Sequence, residues 1–247
     1  MRFWEFLGFI STPFIFEYFC EMDEKVLDEF YKIITPNKVE MFDRIAPLRT
    51  KYLTVVMENI HQEHNASAVL RSCDCFGIQE LHVIEKDNEY LVQRDIALGA
   101  GRWVDMHTYD NENTATADCI QNLKSQGYKI VATTPRKDSR SITELDLSQP
   151  IALVFGTERK GISDEVIEMA DEFVTIPMYG FTESFNISVS VAIILNTLRQ
   201  RLENSEVKWR LSEREQMLLK IEWCKRILNG GPEMDTHFRK LIAEDKL

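Results

Sequence analysis

The sequence predicts an α/β fold built on a mostly parallel sheet. Short apolar runs rich in β-branched residues recur along the chain, which is typical of strands buried on both faces. Helical segments lie between these runs, and connections of that length suit parallel strands. A length of 247 residues is enough for one large domain of this class with added helices.

Each predicted element has its own local signal. The first strand, YLTVVM, is a nearly continuous apolar run, and Pro177 ends the last one. Gly77 and Gly127 follow two helical segments, as expected at helix C-termini. The predicted strands are residues 52–57, 81–84, 128–133, 151–155 and 173–176. The predicted helices in this region are residues 65–76, 111–126, a helix capped by Ser163, and 187–203.

Helical extensions are predicted on both sides of this α/β region. We divide the chain into an N-terminal helical extension at 1–50, the α/β domain at 51–203 and a C-terminal helical extension at 204–247. In the C-terminal extension the helices are 211–228 and 233–243. The aromatic-rich residues 1–21 lack the clean apolar centre of a secretory signal. We interpret them as a translation start placed too early, with Met22 as the alternative start.

Composition excludes several classes of protein. A hydrophobic content of 44% and a charged content of 28% are ordinary for a globular protein, and no apolar run is long enough to predict a membrane span. The net charge of −11 argues against a strongly basic nucleic-acid clamp, although a local cationic cluster can still bind phosphate. The odd, scattered cysteines are typical of reduced thiols in the cytoplasm. The Cys73-x-Cys75 pair points to different helix faces and has no second ligand pair, so no bound metal is expected.

Polar residues cluster at three predicted strand ends, where ligands bind in open α/β sheets. The first cluster, residues 64–71, contains Asn65, which alone is more simply a helix cap, and Arg71, which alone is more simply a surface ion-pair residue. The second, residues 155–161, contains Gly156, which allows close approach to the backbone. Its spacing excludes a Walker phosphate loop, and Glu158 in such a loop is ordinarily solvated.

The third cluster opens the predicted helix 187–203. Ser184, Asn186 and Ser188 place polar side chains beside free backbone N–H groups, which makes a natural anion site. Simple N-capping explains one of these residues but not all three.

The order of the three clusters resembles the SpoU family of RNA 2′-O-methyltransferases. Asn65, Ser67 and Arg71 match the family's first motif. Residues 153–161 match an apolar strand followed by G-x-E-x-x-G, and residues 176–190 match I-P-M-x-G, a spacer, S-hydrophobe-N and S-V-S. The resemblance covers about residues 52–203, with N- and C-terminal extensions that look like those of the TrmH type.

The resemblance implies a deep C-terminal trefoil knot, over about residues 131–203. Ordinary topologies essentially lack true knots, so the sequence pattern alone does not predict one. It also implies that S-adenosylmethionine is the cofactor, held against the knot loops largely by backbone groups. The implied cofactor-binding residues are Thr133, Gly156, Ile176, Met178 and Phe185. Phe185 stands where the family more often has leucine, which implies a reshaped apolar contact.

The resemblance further implies the catalytic residues Arg71, Glu158, Asn186, Ser184 and Asn65. Arg71 is expected to contact the reacting ribose and its 3′-phosphate, and Glu158 to orient Arg71 through a charge-assisted pair. Arginine stays protonated in proteins, so we expect Arg71 to act together with the substrate phosphate rather than as a free base. Ser184 and the two asparagines are expected to hold the RNA phosphate and shape the loop.

The implied reaction is methylation of a ribose 2′-hydroxyl of tRNA, at guanosine 18 in the D-loop. The alternatives are a ribosomal-RNA 2′-O-methyltransferase and a non-catalytic knotted RNA-binding protein. A homodimer through the knotted domain is also implied, with both chains contributing to each site. Helix 187–203 is an interface candidate, and packing on the sheet of its own chain is the alternative. In the C-terminal extension, lysines and arginines lie beside Trp209 and Trp223, which suits phosphate contact and base stacking as well as it suits ordinary amphipathic helices.

Overall fold

A parallel sheet organises the part of the chain from Arg49 to Arg210. The computed structural model describes residues 12–86, 89–136, 138–157 and 160–246. Within them the strands are β1 (Leu53–Glu58), β2 (Glu80–Ile84), β3 (Asp105–Tyr109), β4 (Lys129–Thr133), β5 (Arg140–Ser141), β6 (Ile151–Phe155) and β7 (Glu172–Thr175). They form a 7-stranded sheet in the order β3-β2-β1-β6-β4-β7-β5, and every pairing is parallel.

Helices cover both faces of this sheet. The α-helices of the described residues, including those outside this sheet unit, are α1 (Thr12–Ile33), α2 (Pro36–Ile45), α3 (Glu63–Cys75), α4 (Arg94–Ala97), α5 (Ala115–Ser125), α6 (Asp164–Met169), α7 (Ile187–Glu203), α8 (Glu213–Ile227) and α9 (Gly231–Ala243). Helices α3 and α7 pack on one face, whose core includes Val55 and Leu153. Helices α5 and α6 pack on the other face, around Val56 and Val154. Alternate residues of a central strand therefore enter opposite cores, which explains why the sequence of β1 shows no polar side.

The α/β class and the parallel sheet are confirmed, and each predicted strand is present within about a residue or two at its ends. Two strands were not predicted. The sequence DMHTY of β3 lacks an apolar run because β3 is an edge strand with mostly exposed side chains. Strand β5 has only two residues and carries no pattern. Helix α1 is described from Thr12 and passes through Met22, whereas residues 1–11 lie outside the described part of the chain.

The helices at the two ends of the chain form a separate compact unit, from the residues before Arg49 and from Leu211 onward. Within it α1 packs against α8 and α9. The rings of Phe30 and Phe238 meet edge-on at 5.2 Å between centroids, and those of Phe42 and Trp223 lie 5.2 Å apart. Burial of such aromatic and aliphatic side chains contributes about 1.5–3 kcal/mol each. No helix in the described residues has both the length and the apolar character that crossing a membrane requires.

Of the two alternatives for the C-terminal tryptophans, the structure favours ordinary helix packing over base stacking. Trp223 is only 2% exposed and belongs to the helical core. Trp209 is 5% exposed, and the guanidinium groups of Arg199 and Arg210 lie 4.0 and 4.7 Å from its ring centroid. Both indoles are already engaged within the protein, so neither presents a face on which a base can stack.

Candidate active site

A cavity of about 400 Å³ opens at the carboxyl ends of β4, β6 and β7. Thr133 ends β4 and Phe155 ends β6, and both line the cavity, as does Val174 near the end of β7. The carboxyl ends of parallel strands are where ligands bind in open α/β sheets, and this volume suits a small-molecule ligand.

Gly156 forms the wall of this cavity where β6 ends. The chain folds back on itself at this point, because Thr157 and Gly161 exchange two backbone hydrogen bonds of 2.9 Å. A Cβ atom at position 156 would lie 2.1 Å from the carbonyl oxygen of Gly161. Gly161 has a φ of +72°, which favours glycine there as well. Gly156 is therefore required by a backbone contact, and Gly161 is favoured by its backbone conformation.

The structure brings the predicted cofactor-binding residues together. All of them line the one cavity: Thr133, Gly156, Ile176, Met178 and Phe185. The Thr133 hydroxyl donates to the carbonyl of Val154 at 3.0 Å, which fixes its side chain at the strand end. Ser184, predicted as a catalytic residue, lines the same cavity.

Five further polar residues in the described part of the chain line the cavity and were not predicted from the sequence. Lys160 and Glu183 add one positive and one negative charge, and Thr134, Thr157 and Ser190 add hydroxyl groups. Thr134 directly follows the end of β4, and the others already lie inside the two matched motifs, at positions to which no role was assigned. Whether Ser190 points into the cavity depends on how α7 packs against the sheet.

Asn186 links two of the sequence motifs. Its Oδ1 accepts hydrogen bonds from the backbone N–H and the hydroxyl of Ser188, at 2.9 and 2.7 Å, so it is the N-cap of α7. Its Nδ2 donates to Oδ1 of Asn65 on α3 at 3.1 Å. The Asn186 side chain thus accepts a hydrogen bond from a backbone N–H at the start of α7 and also joins α7 to α3.

The capping role considered for Asn65 is wrong. Gln62 is the N-cap position of α3, and Asn65 lies inside the helix with 1% exposure. Its Nδ2 donates to Oε1 of Gln62 at 2.9 Å. Ser67, the small residue of the same motif, is fully buried and accepts a hydrogen bond from the backbone N–H of Gln93 at 2.7 Å. The buried residues of this motif therefore hold α3 in place through hydrogen bonds inside the protein.

Arg71 is not among the residues that line the cavity of its own chain. It is exposed on α3, and it forms no hydrogen bond or ion pair with any residue in the described part of the chain. The predicted partner Glu158 lies outside the described residues, so the Arg71–Glu158 pair stays a prediction.

An aromatic loop, residues 179–185, borders the cavity. Tyr179 is 96% exposed, Phe181 is fully exposed and Phe185 is 44% exposed. Val189, in the first turn of α7, adds a further exposed apolar side chain, whereas most of the other apolar residues of α7 are buried in the core. Adjacent large apolar groups with this exposure are typical of an interaction surface.

Comparison with known proteins places this geometry in a family. Residues 52–196 match the SpoU rRNA Methylase family. A tRNA (guanosine(18)-2′-O)-methyltransferase from Borreliella burgdorferi is 40% identical over 212 residues, which cover 85% of this chain and 95% of the relative.

Solved structures agree with the sequence match. The A. aeolicus TrmH/SpoU tRNA modifying enzyme superposes with a TM-score of 0.69 at 32% identity, over 78% of this chain and 98% of that one. An AdoMet-bound rRNA methyltransferase from Sinorhizobium meliloti shares the fold at 21% identity and a TM-score of 0.55, over 65% of this chain and 60% of that one. The matched region contains the sheet, the cavity and all three motifs, and the chain is therefore a member of the SpoU rRNA Methylase family.

Proposed function

We propose that the chain transfers a methyl group from S-adenosylmethionine to the ribose 2′-hydroxyl of guanosine 18 in the D-loop of tRNA. One observation carries the proposal: the second and third motifs of a methylase family line a single cavity at the carboxyl ends of β4, β6 and β7. The named activity of a relative that matches 85% of this chain supports the nucleoside and the RNA class.

The cavity fits S-adenosylmethionine in size and in chemistry. Ile176, Met178 and Phe185 offer apolar surface for a flat base, whereas Thr133 and the backbone beside Gly156 offer polar groups. Glu183 adds a carboxylate that complements a cationic ligand. When bound, this cofactor supplies an electrophilic methyl group on a sulfonium. A related fold described as AdoMet-bound supports the assignment.

The RNA side of the site depends on side chains that hold phosphate and orient the ribose. Ser184 lies in the cavity wall beside the N-terminus of α7, where free N–H groups and the helix dipole favour an anion. Asn65 and Asn186 fix that helix start against α3. Arg71 contacts the ribose and its 3′-phosphate and stays protonated, so the 2′-hydroxyl proton passes to the phosphate that Arg71 holds. Glu158 orients Arg71.

The site is completed by a second copy of the chain. Arg71 lies outside the cavity lining of its own chain, and the aromatic loop exposes large apolar groups beside that cavity. A symmetric dimer that buries the loop brings Arg71 of one protomer to the cavity of the other. Tyr179→Glu together with Phe181→Glu is expected to give a monomer in sedimentation experiments, because charges would be placed in an apolar interface.

Mixed dimers test the shared site directly. Arg71→Ala and Met178→Trp, which fills the cavity, are each expected to be inactive alone. After subunit exchange, about a quarter of wild-type activity is expected, because half of the dimers are mixed and one of their two sites is intact. A site built within one chain gives no recovery and contradicts the shared arrangement.

The main experiment incubates the purified protein with methyl-labelled S-adenosylmethionine and unmodified tRNA transcript, followed by mapping of the labelled ribose. Label is expected at guanosine 18 and not in a transcript with adenosine at that position. Arg71→Ala is expected to lower turnover about 100-fold with cofactor affinity unchanged, and exposed Arg44→Ala is the matched control. Label only in ribosomal RNA overturns the tRNA assignment, and binding of tRNA with no transfer to any RNA indicates a non-catalytic relative.

A trefoil knot over about residues 131–203 is part of the proposal. The interleaved strand order β6-β4-β7 and the backbone contact between Gly156 and Gly161 support tight threading near the cavity. An experimental electron-density map traced through these residues tests it, and a chain that never passes through its own loop contradicts it.

Cytoplasmic residence is also part of the proposal. It is supported by the cysteines, since Cys73, Cys75, Cys119 and Cys224 are free thiols.

A further inference from the structure

A second group of side chains, of the types that bind metal ions, lies on strands of the sheet other than those whose ends form the cavity. Glu80 and His82 occupy alternate positions of β2, so they share one face, and His107 is the register partner of His82 on the edge strand β3. One ligand atom from each of the three residues lies within 4.8 Å of the others. The proposed methyl transfer uses none of them.

The buried histidine of this group has an unused nitrogen. His82 is only 2% exposed, and its Nε2 has no hydrogen-bond partner in the described part of the chain. Its other nitrogen, Nδ1, lies 3.2 Å from the hydroxyl of Tyr109. If Nδ1 donates to that hydroxyl, Nε2 carries the lone pair, which is the tautomer a metal ion requires. A buried polar atom without a partner is costly unless a ligand satisfies it.

Glu80 is held in the orientation that such a ligand requires. Its Oε1 pairs with Nζ of Lys51 at 2.8 Å, and this leaves Oε2 directed toward His82, 4.0 Å from Nε2. A metal-binding carboxylate is commonly oriented by a partner on its second oxygen in this way. The position of Lys51 therefore stabilises Glu80 without occupying the oxygen that faces the histidines.

His107 supplies the adjustable third side chain. Its exposed ring is stacked on that of His82, with centroids 4.7 Å apart and an interplanar angle of 22°. Tetrahedral zinc brings its ligand atoms to about 3.3 Å from one another, given bonds of roughly 2.0–2.2 Å. The present separations must shrink by about 1.5 Å at most, and side-chain rotation of an exposed residue on an edge strand can supply that.

We propose that Glu80, His82 and His107 form a site for a divalent transition metal of the zinc class. Two imidazoles and one carboxylate, with a fourth position open to water, are a ligand set that zinc accepts. The ion would tie the edge strand β3 to β2, away from the carboxyl ends where the cavity opens. The role of the ion is therefore to stabilise the edge of the sheet. This role is separate from the proposed methyl transfer.

The test titrates the full chain, after treatment with a chelator, with Zn²⁺ by calorimetry and with Co²⁺ by absorption. One equivalent of Zn²⁺ is expected to bind in the micromolar range or more tightly, with intense Co²⁺ bands of a tetrahedral site and a higher melting temperature. His107→Ala and Glu80→Gln are each expected to weaken binding at least about tenfold. The matched control, His237→Ala, removes an exposed histidine elsewhere and is expected to bind like the wild type.

Two results overturn this proposal. One is wild-type binding no tighter than millimolar, and the other is equal Zn²⁺ affinity in His107→Ala and the wild type. Circular dichroism of both variants verifies folding, which is expected because His107 is exposed and Glu80→Gln preserves shape. Methyl transfer is expected to be unchanged by the metal, so failure of either proposal leaves the other standing.

Discussion

Gly156 shows how a single residue joins the fold to the site. The position that any side chain would occupy is filled by the backbone at Gly161, which lies opposite in the same loop. A residue with a Cβ must therefore push apart two segments that line the cavity.

Gly156→Ala is expected to lower the free energy of unfolding by about 3 kcal/mol, since the clash is with backbone rather than with a flexible side chain. Urea denaturation measures this loss, and weaker S-adenosylmethionine binding should accompany it. Gly101→Ala is the matched control, because its added Cβ meets only a side-chain atom of Leu70 at 3.6 Å. A change of about 0.5 kcal/mol or less is expected there. Equal effects at the two glycines would contradict the close approach.

Cys73 gives a pH dependence that originates in burial. The thiol lies fully buried on α3, and burial raises its pKa from 9.0 to about 12. The folded state therefore keeps a proton that the unfolded state loses above pH 9, so stability is fully present below pH 9 and falls as pH rises toward 12.

The expected slope from Cys73 is a loss of about 1.4 kcal/mol per pH unit between pH 9 and 12. Urea denaturation at a series of pH values measures it, and Cys73→Ala should show a slope shallower by that amount. Cys75→Ala, which removes an exposed thiol two residues away, serves as control and should keep the wild-type slope. A Cys73→Ala slope identical to that of the wild type would show that this thiol does not titrate differently on unfolding.

At the scale of elements, the start of α7 performs two tasks through one side chain. The Oδ1 atom of Asn186 caps the helix, and its Nδ2 atom binds Asn65 on α3. Asn65 is buried, so losing this donor leaves a polar group with fewer partners.

Two substitutions separate these tasks. Asn186→Asp keeps the capping oxygen and loses the donor to Asn65, so it is expected to lower methyl transfer more than stability. Asn186→Ala loses both, with a stability loss of about 1–2 kcal/mol. Thermal unfolding and initial rates measure the two effects. Ser212→Ala, which removes the N-cap of α8 outside the sheet unit, is expected to reduce stability alone. Full activity in Asn186→Asp would contradict a role for the Asn65 contact.

The elements that the sequence predicted well are those whose burial leaves a continuous apolar run or whose ends carry a boundary residue. Strands such as β1 and β6 are apolar on both faces. Ser163 marks the start of a helix as its N-cap, and Pro177 follows the end of the last strand. Strand β3 was not predicted, because an edge strand exposes most of its side chains and needs no apolar run.

The candidate site was predictable to the extent that it follows strand ends. Thr133, Gly156 and Ile176 follow from that rule, whereas the inward facing of Ser190 depends on how α7 docks. The burial of Asn65 was not predictable from its residue type, because an asparagine at a helix start is ordinarily a cap. Tertiary packing decides such cases, and local sequence does not encode it.

At the scale of the whole molecule, the C-terminal cations are engaged with carboxylates of the same helical unit. Lys220 pairs with Asp43 at 2.8 Å, and Arg239 pairs with Asp23 at 2.8 Å. These residues supply positive charge in the sequence, but the structure already uses much of it to join helices.

That pairing has a consequence for counterion release. A cation that is already neutralised by a carboxylate displaces fewer potassium ions from an RNA backbone than an unpaired one does. For a chain with a net charge of −11, the logarithm of the tRNA association constant should fall only gently with the logarithm of salt concentration, with a slope no steeper than about −4. Filter binding across a potassium chloride series measures the slope. A value near −8 would mean that these ion pairs open to the RNA, whereas a gentle slope means that the shape of the D-loop, more than bulk charge, selects this substrate.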